Sequence, residues 1–440
     1  MSNQKTILQN AFAAALAVAD PQQIVPEYLE KIFANGAPQG KCLVVGAGKA
    51  SASMASALEQ FAKQHWPSTQ MNGVVLTRYG HGSPTEHIQI IEAGHPVPDQ
   101  AGMDGAKAVL QLVNQLNADD VLIVLVSGGG SSLFTLPQPG ISMEDMRITT
   151  QALLRCGAPI EEMNTVRKHL SAILGGNLAR AAMQRGARVE ALLISDVTGD
   201  QPADIGSGPC AADYSSYQDA VDILVKHQLD ESAIPASVIQ HLQKGLAGLI
   251  PETLKESDLQ NGHVRNHVIA TAYKSLEAAA DYVRSEGYEP IILGDTITGE
   301  AKEVGVDQAK LAKELIEKNS GSKPLAVISG GECTVTLPAG IKGRGGRCSE
   351  FLLSLFTETG HISQLAALAA DTDGIDGSEK NAGAWFDTAV RQSSQAKGLL
   401  PEKFLSAHDC YGFFAELGAL VETGPTLTNV NDFRIILLEK

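Results

Sequence analysis

The amino-acid sequence predicts an α/β protein with two domains. Its 440 residues exceed the roughly 250–300 residues at which a single hydrophobic core stops growing. Short apolar runs, for example "KCLVVGAG" at 41–48 and "VLIVLV" at 121–126, alternate with helical stretches. Because these runs are apolar at nearly every position, they are typical of parallel strands that helices cover on both faces.

The first part of the chain provides one set of alternating elements. Strands are predicted at 41–48, 72–80, 87–94, 121–126 and 187–200. Helices are predicted at 49–64, 101–117, 142–155 and 161–184. Strands that alternate with helices in this way predict βαβ units and therefore a parallel sheet.

The second part of the chain repeats the alternation. Strands are predicted at 266–272, 289–295, 324–338, 365–374 and 433–440. Helices are predicted at 273–286, 300–318 and 349–358. Residues 213–262, between the two sets, are predicted to form short helices, so the domain junction is expected near 235–265. The predicted domains are 1–240 and 263–440.

The charge balance excludes several classes of partner. The chain has 50 acidic and 34 basic side chains, and its formal net charge is -16. Nucleic-acid backbones and anionic membrane surfaces favour clustered lysine and arginine, so neither is expected as a partner. A small anionic ligand is compatible with this charge, because local amides and a few cations outweigh net charge at short range.

The chain is expected to be cytoplasmic and to lack a membrane span. No window approaches the ~18 apolar residues that a spanning helix needs. Six cysteines are scattered without a C-x-x-C motif, which indicates a reducing compartment and no structural zinc. The apolar stretch near the N-terminus is interrupted by Asn10 and ends at Asp20. It therefore predicts an amphipathic helix rather than a signal peptide.

The loop after the strand at 121–126 is the first candidate binding site. It consists of Ser127, Gly128, Gly129, Gly130, Ser131 and Ser132. Glycines let the backbone approach a ligand closely, and successive N–H groups can form an anion-binding nest. Ligands of open α/β sheets bind beyond the carboxyl ends of the strands. The loop therefore predicts a phosphate or carboxylate site.

A second glycine turn follows the first predicted strand. Gly46 and Gly48 precede Lys49, which begins a predicted helix. A cation at a helix start opposes the helix dipole, so we expect Lys49 to meet a ligand oxyanion. The same turn leaves open a dinucleotide site, in which Ser51 is the small residue that the turn requires and Arg78 faces a 2′-phosphate.

An acidic, glycine-rich loop ends the last strand of the first set. It contains Asp196 and Asp200, and Mg²⁺ binds one or two carboxylates together with phosphate oxygens and water. Asp196 and Asp200 are therefore candidate metal ligands. Ser207 and Gly208, in the "GSGP" that follows, are candidate binding residues.

The second half of the chain contains one basic and one acidic candidate segment. "GRGGR" at 343–347 carries Arg344 and Arg347, and arginine matches carboxylate or phosphoryl geometry through paired hydrogen bonds. "AADTDGIDG" carries Asp371 and Asp373 at a strand end. No glutamate follows at the twelfth position that a calcium loop requires, so calcium is not expected.

Several enzyme classes lack their motifs in this sequence. The phosphate-binding motif G-x-x-x-x-G-K-[ST] is absent, and so is G-x-S-x-G. His81, His95 and His169 are isolated from one another, and His95 and His169 are expected to be structural. A serine-hydrolase function therefore has little support.

Nine segments occur in the order found in the glycerate 2-kinase family. They are "GAGKAS", "GHPVPD", "VSGGGSSL", "NTVRKHLSAILGGNLA", "SDVTGD" with "IGSGP", "ISGGECTV", "GRGGR", "DTDGIDG" and "GPTLTNVND". The sequence resembles this family over nearly its whole length, and nine segments in order are highly specific. The C-terminal part of the family is the MOFRL domain, and bacterial members often carry the label hydroxypyruvate reductase.

The resemblance implies an ATP- and Mg²⁺-dependent kinase that converts D-glycerate to 2-phosphoglycerate. It also implies an N-terminal Rossmann-like domain, a second α/β domain of MOFRL type and an active site in the cleft between them. The key lysine of the family falls on Lys49. Its key arginine falls on Arg347 rather than on Arg344, which is kept as a binding candidate.

Phosphoryl transfer requires positioning and charge neutralisation rather than a covalent nucleophile. We therefore expect Lys49 and Arg347 to neutralise the transferring phosphoryl group. Asp196, with Asp200, is expected to bind Mg²⁺ or to accept the hydroxyl proton. The loop at 127–132 is expected to hold either nucleotide phosphate or the glycerate carboxylate.

Three further residues complete the expected site. Asp371 and Asp373 are second candidates for the proton or metal role, and Glu332 in "ISGGECTV" is an expected binding residue. The sequence also departs from the family pattern: Cys348-Ser349 replace the usual Asn-Gln, and Leu174 replaces the usual lysine. Thr271-Ala272 also stand where the family usually has asparagine. These departures bear on substrate preference more than on reaction class.

Two other functions stay open. One is an NAD(P)H-dependent hydroxypyruvate reductase, which would use the glycine turn at 46–48 for a dinucleotide. The other is a non-catalytic sensor of a sugar acid or nucleotide. A sensor usually carries an output module such as a DNA-binding helix pair, and the sequence contains none that we recognise. The oligomeric state is also open, and a homodimer is one of the alternatives.

Overall fold

The chain folds into two compact units in a computed structural model. The model describes residues 3–259, 262–319, 321, 323–338, 340 and 342–439. The central unit is Val25–Ile269, and the terminal unit combines Met1–Ile24 with Ala270–Lys440. Among the described residues, no helix is both long and apolar enough to cross a membrane.

The helices and strands are numbered in chain order. The helices are α1 (Asn3–Ala17), α2 (Pro21–Ile32), α3 (Ser51–His65), α4 (Gln100–Val113), α5 (Gly130–Leu133), α6 (Met143–Arg155), α7 (Ile160–Leu170), α8 (Asn177–Met183), α9 (Tyr217–Lys226), α10 (Ala236–Leu246), α11 (Ala272–Ser285), α12 (Ala301–Lys318), α13 (Arg347–Glu358), α14 (Thr388–Ala396), α15 (Pro401–Ser406) and α16 (Cys410–Glu416). The strands are β1 (Cys42–Ala47), β2 (Met71–Arg78), β3 (Ile88–Ala93), β4 (Val121–Val126), β5 (Arg188–Ile194), β6 (Val264–Ala270), β7 (Glu289–Ile292), β8 (Gly299–Glu300), β9 (Leu325–Gly331), β10 (Cys333–Thr334), β11 (Leu365–Asp371), β12 (Gly383–Phe386), β13 (Leu420–Val421) and β14 (Asp432–Leu438). Short 3-10 helices lie at Ile205–Ser207 and Glu256–Leu259.

The central unit contains a six-stranded sheet in the order β3-β2-β1-β4-β5-β6. The pairs β2–β3, β1–β2, β1–β4 and β4–β5 are parallel. Every residue of β1 and of β4 is buried, because helices cover both faces of the sheet. This strand order is that of a Rossmann-type fold, so the predicted parallel sheet is confirmed.

A second core lies among the helices of the central unit. Helices α6, α7, α9 and α10 pack around buried Met146, Leu153, Val166, Leu224 and Leu242. Serine side chains start two of these helices: Ser142 and Ser216 each form a capping box with an aspartate three residues later. Each box satisfies backbone N–H groups that the first helical turn leaves without partners.

The terminal unit contains a six-stranded mixed sheet in the order β13-β12-β11-β14-β9-β7. Strands β7 and β9 are parallel, whereas β9–β14, β14–β11, β11–β12 and β12–β13 are antiparallel. A two-stranded parallel sheet pairs β8 with β10. The predicted second α/β domain is confirmed, although the short strands β12 and β13 are not among the predicted elements.

The boundaries of the two units differ from the predicted domains 1–240 and 263–440. Helix α1 belongs to the terminal unit, where Leu8 and Phe12 are part of the core and Phe12 contacts Phe433 with ring centroids 5.6 Å apart. The strand predicted at 266–272 is β6, at the edge of the central sheet. Hydropathy reveals an apolar face but not the sheet that will cover it, which explains both differences.

The helix predicted at 161–184 is two helices, α7 and α8. Gly175 and Gly176 lie between them with φ of 61° and 77°, in the left-handed region that ends a helix. The Ser171 hydroxyl accepts hydrogen bonds from the N–H groups of Ile173 and Leu174. The prediction was therefore wrong across 171–176, because a local hydrogen-bonded turn replaces the helical bonds there.

Candidate functional site

The candidate site of the central unit lies at the carboxyl ends of β1 and β4. The strand order reverses between these two neighbours, and ligands of open α/β sheets bind at such a reversal. The turn at Gly46–Lys49 follows β1, and the loop at Ser127–Ser132 follows β4. The fold therefore brings together the two glycine segments that the sequence analysis selected.

Hydrogen bonds join the two segments. The N–H of Lys49 donates to the Gly128 carbonyl at 2.9 Å. The N–H of Ala50 donates to the Ser127 hydroxyl at 2.9 Å, and the Ser51 hydroxyl donates to the Leu125 carbonyl at 3.0 Å. Because Ser127 is fully buried, its hydroxyl acts as an internal brace that fixes the backbone directly after Lys49.

Two glycines are required by close approach as well as by backbone conformation. Gly48 has φ of +148°, and a Cβ atom there would lie 2.1 Å from the Ser127 hydroxyl. Gly129 has φ of +81°, and a Cβ atom there would lie 2.6 Å from His95 Nε2. No side chain fits at either position, so the two glycines set the spacing of the loops and of His95.

The loop after β4 presents backbone donors. Within the described residues, no protein acceptor faces the backbone N–H of Gly128, Gly129 or Ser131, although the N–H of Gly130 donates to the Ser127 carbonyl at 3.1 Å. Consecutive N–H groups of this kind form a concave anion-binding site. These donors are compatible with the phosphate or carboxylate site that the sequence predicts here, and that site stays a prediction.

Lys49 lies between the brace and the start of α3. Its carbonyl accepts from the Thr77 hydroxyl at 3.4 Å and lies 3.4 Å from His81 Nδ1. The N-cap of α3, Ala50, offers no side-chain hydrogen bond to the first turn. Contacts of both its N–H and its carbonyl therefore fix the backbone from which the side chain of Lys49 extends.

The acidic loop after β5 lies at the same edge of the central sheet, because β5 is the parallel neighbour of β4. Asp196 and Asp200 are both half-buried, and Asp200 has φ of +54°. The carbonyls of Ser207 and Gly208 accept from the N–H groups of Gly175 and Gly176 at 3.0 and 2.7 Å.

The backbone carbonyl of Ser207 binds the neighbouring loop, whereas its side-chain hydroxyl makes no hydrogen bond within the described residues. Its side-chain oxygen is buried and has no hydrogen-bond partner among the described residues, and a buried hydroxyl without a partner is costly. The "GSGP" segment thus anchors the neighbouring loop through its backbone, while one hydroxyl remains available.

The donor set of this loop is compatible with Mg²⁺ but does not form a closed metal cage. Among the described residues, no group of three or more His, Cys, Asp or Glu side chains is arranged to hold a metal ion. Mg²⁺ usually binds only one or two carboxylates and completes its shell with phosphate oxygens and water. Asp196 and Asp200 supply such a partial set.

The terminal unit places Arg347 among three carboxylates. The guanidinium donates to Asp432 at 2.7 Å, to Glu332 at 2.7 Å and to Asp371 at 2.9 Å. Burial acts to lower the pKa of Arg347, but the charges of Asp432 and Asp371 outweigh it and raise the pKa. Three of the predicted residues, Glu332, Arg347 and Asp371, are therefore brought together.

Asp432 belongs to this cluster but was not selected from the sequence. Its side chain is fully buried and also accepts from Arg434 at 2.7 Å. The Arg434 side chain is itself fully buried and lies 5.2 Å from the Phe351 ring. The segment "GPTLTNVNDFR" contains Asp432, yet only the antiparallel pairing of β14 with β9 and β11 aims this aspartate at Arg347.

Two other predicted residues have different surroundings. Arg344 pairs with Glu379 at 3.1 Å and lies 4.7 Å from the Tyr411 ring, outside the carboxylate cluster. Asp373 is buried, its N–H donates to the Asp371 carboxylate at 3.0 Å, and its own carboxylate accepts from Ile375. Asp373 thus shapes the loop that carries Asp371.

Asp376 lies at the start of α13. Its carboxylate accepts from the N–H groups of Cys348 and Ser349 at 2.9 and 2.8 Å and from the Ser349 hydroxyl. Burial raises the pKa of this carboxyl to about 6, and the hydrogen bonds only partly oppose the rise. Asp376 therefore fixes the helix that carries Arg347.

Two residues near the loop after β4 have no binding role in the sequence analysis. His95 is expected to be structural, and its ring lies against Gly129. Arg167, inside the quoted "NTVRKHLS", was given no role, but its guanidinium donates to the Ser131 hydroxyl at 3.3 Å. Both contacts form only in the tertiary structure. The one sequence signal for Arg167 is its place inside a predicted helix beside glycine-rich segments. The expected convergence of Lys49 and Arg347 on one phosphate stays a prediction.

Two family models match the chain. Residues 7–243 match the domain of unknown function DUF4147, and residues 325–432 match the MOFRL family. The first covers more than half of the chain, and together they include most of the residues described above.

Named relatives extend over almost the whole chain. A putative hydroxypyruvate reductase of Agrobacterium vitis is 45% identical and covers 99% of this chain and 94% of its own. A glycerate 2-kinase of Pyrococcus horikoshii is 40% identical and covers 96% of this chain and 95% of its own. The crystal structure of a glycerate kinase from Thermotoga maritima superimposes with a TM-score of 0.86 at 36% identity, covering 99% of both chains.

Proposed function

We propose that the chain, which belongs to the glycerate kinase family by its identity to named members over nearly its whole length, is an ATP-dependent D-glycerate 2-kinase. The relatives named as glycerate 2-kinases support this reaction. The observation that carries the proposal is the pairing of the Lys49 turn with the serine-glycine loop at the reversal of strand order. A cation beside a set of backbone N–H donors suits a phosphoryl group.

The reaction transfers one phosphoryl group. A bond forms between the 2-hydroxyl oxygen of glycerate and the γ-phosphorus, the bond from that phosphorus to the β,γ-bridging oxygen breaks, and ADP leaves. We assign charge neutralisation to Lys49 and Arg347. The hydroxyl proton passes to a carboxylate, for which Asp196 is our candidate.

Asp196 and Asp200 are also the candidate ligands of Mg²⁺. When bound, this ion neutralises phosphate charge. The protein's own groups position the reactants: the loop at 127–132 binds an anion, and Ser127 holds the backbone of Lys49. We also infer a cytoplasmic location, which the six unpaired cysteines support.

The decisive experiment is turnover with D-glycerate and MgATP, with the product identified by phosphorus NMR. We expect 2-phosphoglycerate, and 3-phosphoglycerate would refute the 2-position. Oxidation of NADPH with hydroxypyruvate in the absence of ATP would instead favour the reductase function that the name of the Agrobacterium relative suggests.

Lys49→Ala tests the catalytic assignment. Removing one donor that stabilises transition-state charge lowers kcat by roughly 10²–10³-fold. The matched control is Lys107→Ala, at an exposed position of α4, which should turn over like the wild type. Normal turnover of Lys49→Ala would remove this residue from the catalytic assignment.

A further inference from the structure

A cavity of about 330 Å³ lies beside the loop at Ser131 and Ser132. Its walls come from the segment after β3, from α5, from one face of α6 and from α7 with the turn after it. The lining is mostly apolar and includes Val97, Met143, Met146 and Leu154, together with Thr150 and Arg167. Small-molecule sites typically combine such an apolar wall with a few convergent polar groups.

The position of this cavity distinguishes it from a larger one. A cavity of about 490 Å³ is lined by Glu59, Lys63, Met71 and His87, and it lies where β2 and β3 begin. Ligands of parallel sheets bind at the opposite edge, beyond the carboxyl ends of the strands. The cavity beside Ser131 meets that condition.

Arg167 is a cation without a counter-ion on the wall of this cavity. Its guanidinium donates to the Asn164 side-chain oxygen at 3.0 Å and to the Ser131 hydroxyl at 3.3 Å. Burial lowers its pKa, and no carboxylate of the described residues lies within ion-pair distance of it. The other cation of the lining, Arg147, pairs with Glu144 at the surface. Arg167 is half-buried, and a partly desolvated charge without an ion-pair partner is less favourable than a paired one, so Arg167 is suited to bind an anion that arrives with a ligand.

The polar end of the cavity contains further anion donors. Ser131 contributes both its hydroxyl, which contacts Arg167, and a backbone N–H without a protein acceptor. The N–H groups of Gly128 and Gly129 belong to the same loop. An oxyanion bound here would therefore meet a guanidinium and a row of amides at one end of an apolar chamber.

We propose that this cavity binds the base and ribose of the nucleoside triphosphate and that Arg167 binds its phosphate chain. This inference rests on the proposed kinase function and adds the location of the nucleotide. The apolar wall suits a planar heteroaromatic base, which gains from leaving water, whereas glycerate is small and carries a polar group on every carbon. The anion donors at Ser131 and Arg167 then lie where the phosphates leave the chamber, toward the loop that borders Lys49.

Two variants test separately whether the cavity binds the base and whether Arg167 binds the phosphates. Thr150→Phe, on the half-buried face of α6 that lines the cavity, fills the chamber. Arg167→Met removes the guanidinium and keeps most of the side-chain volume. Their matched controls are Val225→Phe and Arg155→Met, at exposed helix positions outside the cavity. Thermal unfolding of each variant verifies that it is folded.

Calorimetric titration with ATP and with adenosine is the readout. We expect Thr150→Phe to weaken both ligands at least 10-fold. We expect Arg167→Met to weaken ATP roughly 10- to 100-fold, the loss of a hydrogen bond to a charged group, and to leave adenosine unchanged. The KM for glycerate should stay within about twofold in each variant that retains turnover.

Other results would overturn the inference. If Thr150→Phe raises the KM for glycerate and leaves ATP binding intact, the cavity holds the hydroxy acid instead. If Arg167→Met weakens adenosine as much as ATP, the assignment of the phosphates fails. If both variants bind ATP like the wild type, the cavity does not hold the nucleotide and the whole inference fails. If the wild type binds ATP in this manner but forms no phosphoglycerate, the proposed function fails and the nucleotide site stands.

Discussion

Gly48→Ala tests whether the turn after β1 and the loop after β4 approach each other as closely as the fold requires. The new Cβ would lie 2.1 Å from the Ser127 hydroxyl and 2.7 and 2.8 Å from the carbonyl oxygen and carbon of the same residue. Rotation of the serine side chain relieves only the first contact, because the other two are backbone atoms. The two loops must therefore move apart.

The expected magnitude has two parts. A residue with a Cβ in the left-handed region costs roughly 1–2 kcal/mol, and overpacking in a filled site costs typically 1–3 kcal/mol. Gly36→Ala isolates the first part, because Gly36 has φ of +119° and nothing lies within 4 Å of its Cβ position. We therefore expect the free energy of unfolding to fall by roughly 1–2 kcal/mol for Gly36→Ala and by roughly 2–5 kcal/mol for Gly48→Ala.

Thermal unfolding and turnover measure both effects. For a unit of this size, 1 kcal/mol corresponds to a change in Tm of about 2–4 °C, so the two variants should differ by several degrees. Gly48→Ala also displaces Lys49, and a misplacement of about 1 Å can lower the rate about 10²-fold. Equal Tm values and wild-type turnover in both variants would refute the close approach of the loops.

Three further predictions concern groups in both units. Burial raises the folded-state pKa of Asp376 from 3.8 to about 6, so the folded chain binds more protons than the unfolded chain between these values. The contribution of Asp376 to the free energy of unfolding should therefore fall as pH rises from 3.8 to about 6, by about 3 kcal/mol. In denaturant titrations at several pH values, Asp376→Asn should lose this fall, and an unchanged pH profile would contradict the assignment. Arg347→Met leaves buried carboxylates without their cation and should destabilise the terminal unit by roughly 3–5 kcal/mol, whereas the exposed Arg344→Met should cost about 1 kcal/mol or less; similar denaturation midpoints for the two would disprove the difference. Ser207→Ala removes an unpaired buried hydroxyl and should leave the ligand-free chain equally stable or up to about 1 kcal/mol more stable, so a large drop in Tm would mean that the hydroxyl has a partner.

The candidate site was partly predictable for a local reason. Glycine turns directly after buried strands are visible in the sequence, and parallel strands bring such turns to one edge of a sheet. This explains why the turn at Gly48 and the loop at Ser127–Ser132 were selected and do adjoin each other. Arg167 could not be selected in the same way, because the chamber that it lines is assembled from the segment after β3, from α5, from α6 and from α7 with the turn after it, which come together only in the fold.

The sequence by itself determined the α/β class, the order of most strands along the chain, and the family with its reaction type. Hydropathy runs and glycine positions express local conformational preferences, and these do not depend on the partner that a segment finds. Only the tertiary structure decided that α1 packs in the terminal unit, that β6 joins the central sheet, and that Asp432 pairs with both Arg347 and Arg434. In each case the sequence contains several similar apolar faces or carboxylates, and their local patterns do not distinguish them. Packing and charge pairing between residues far apart in the chain determine which one is used.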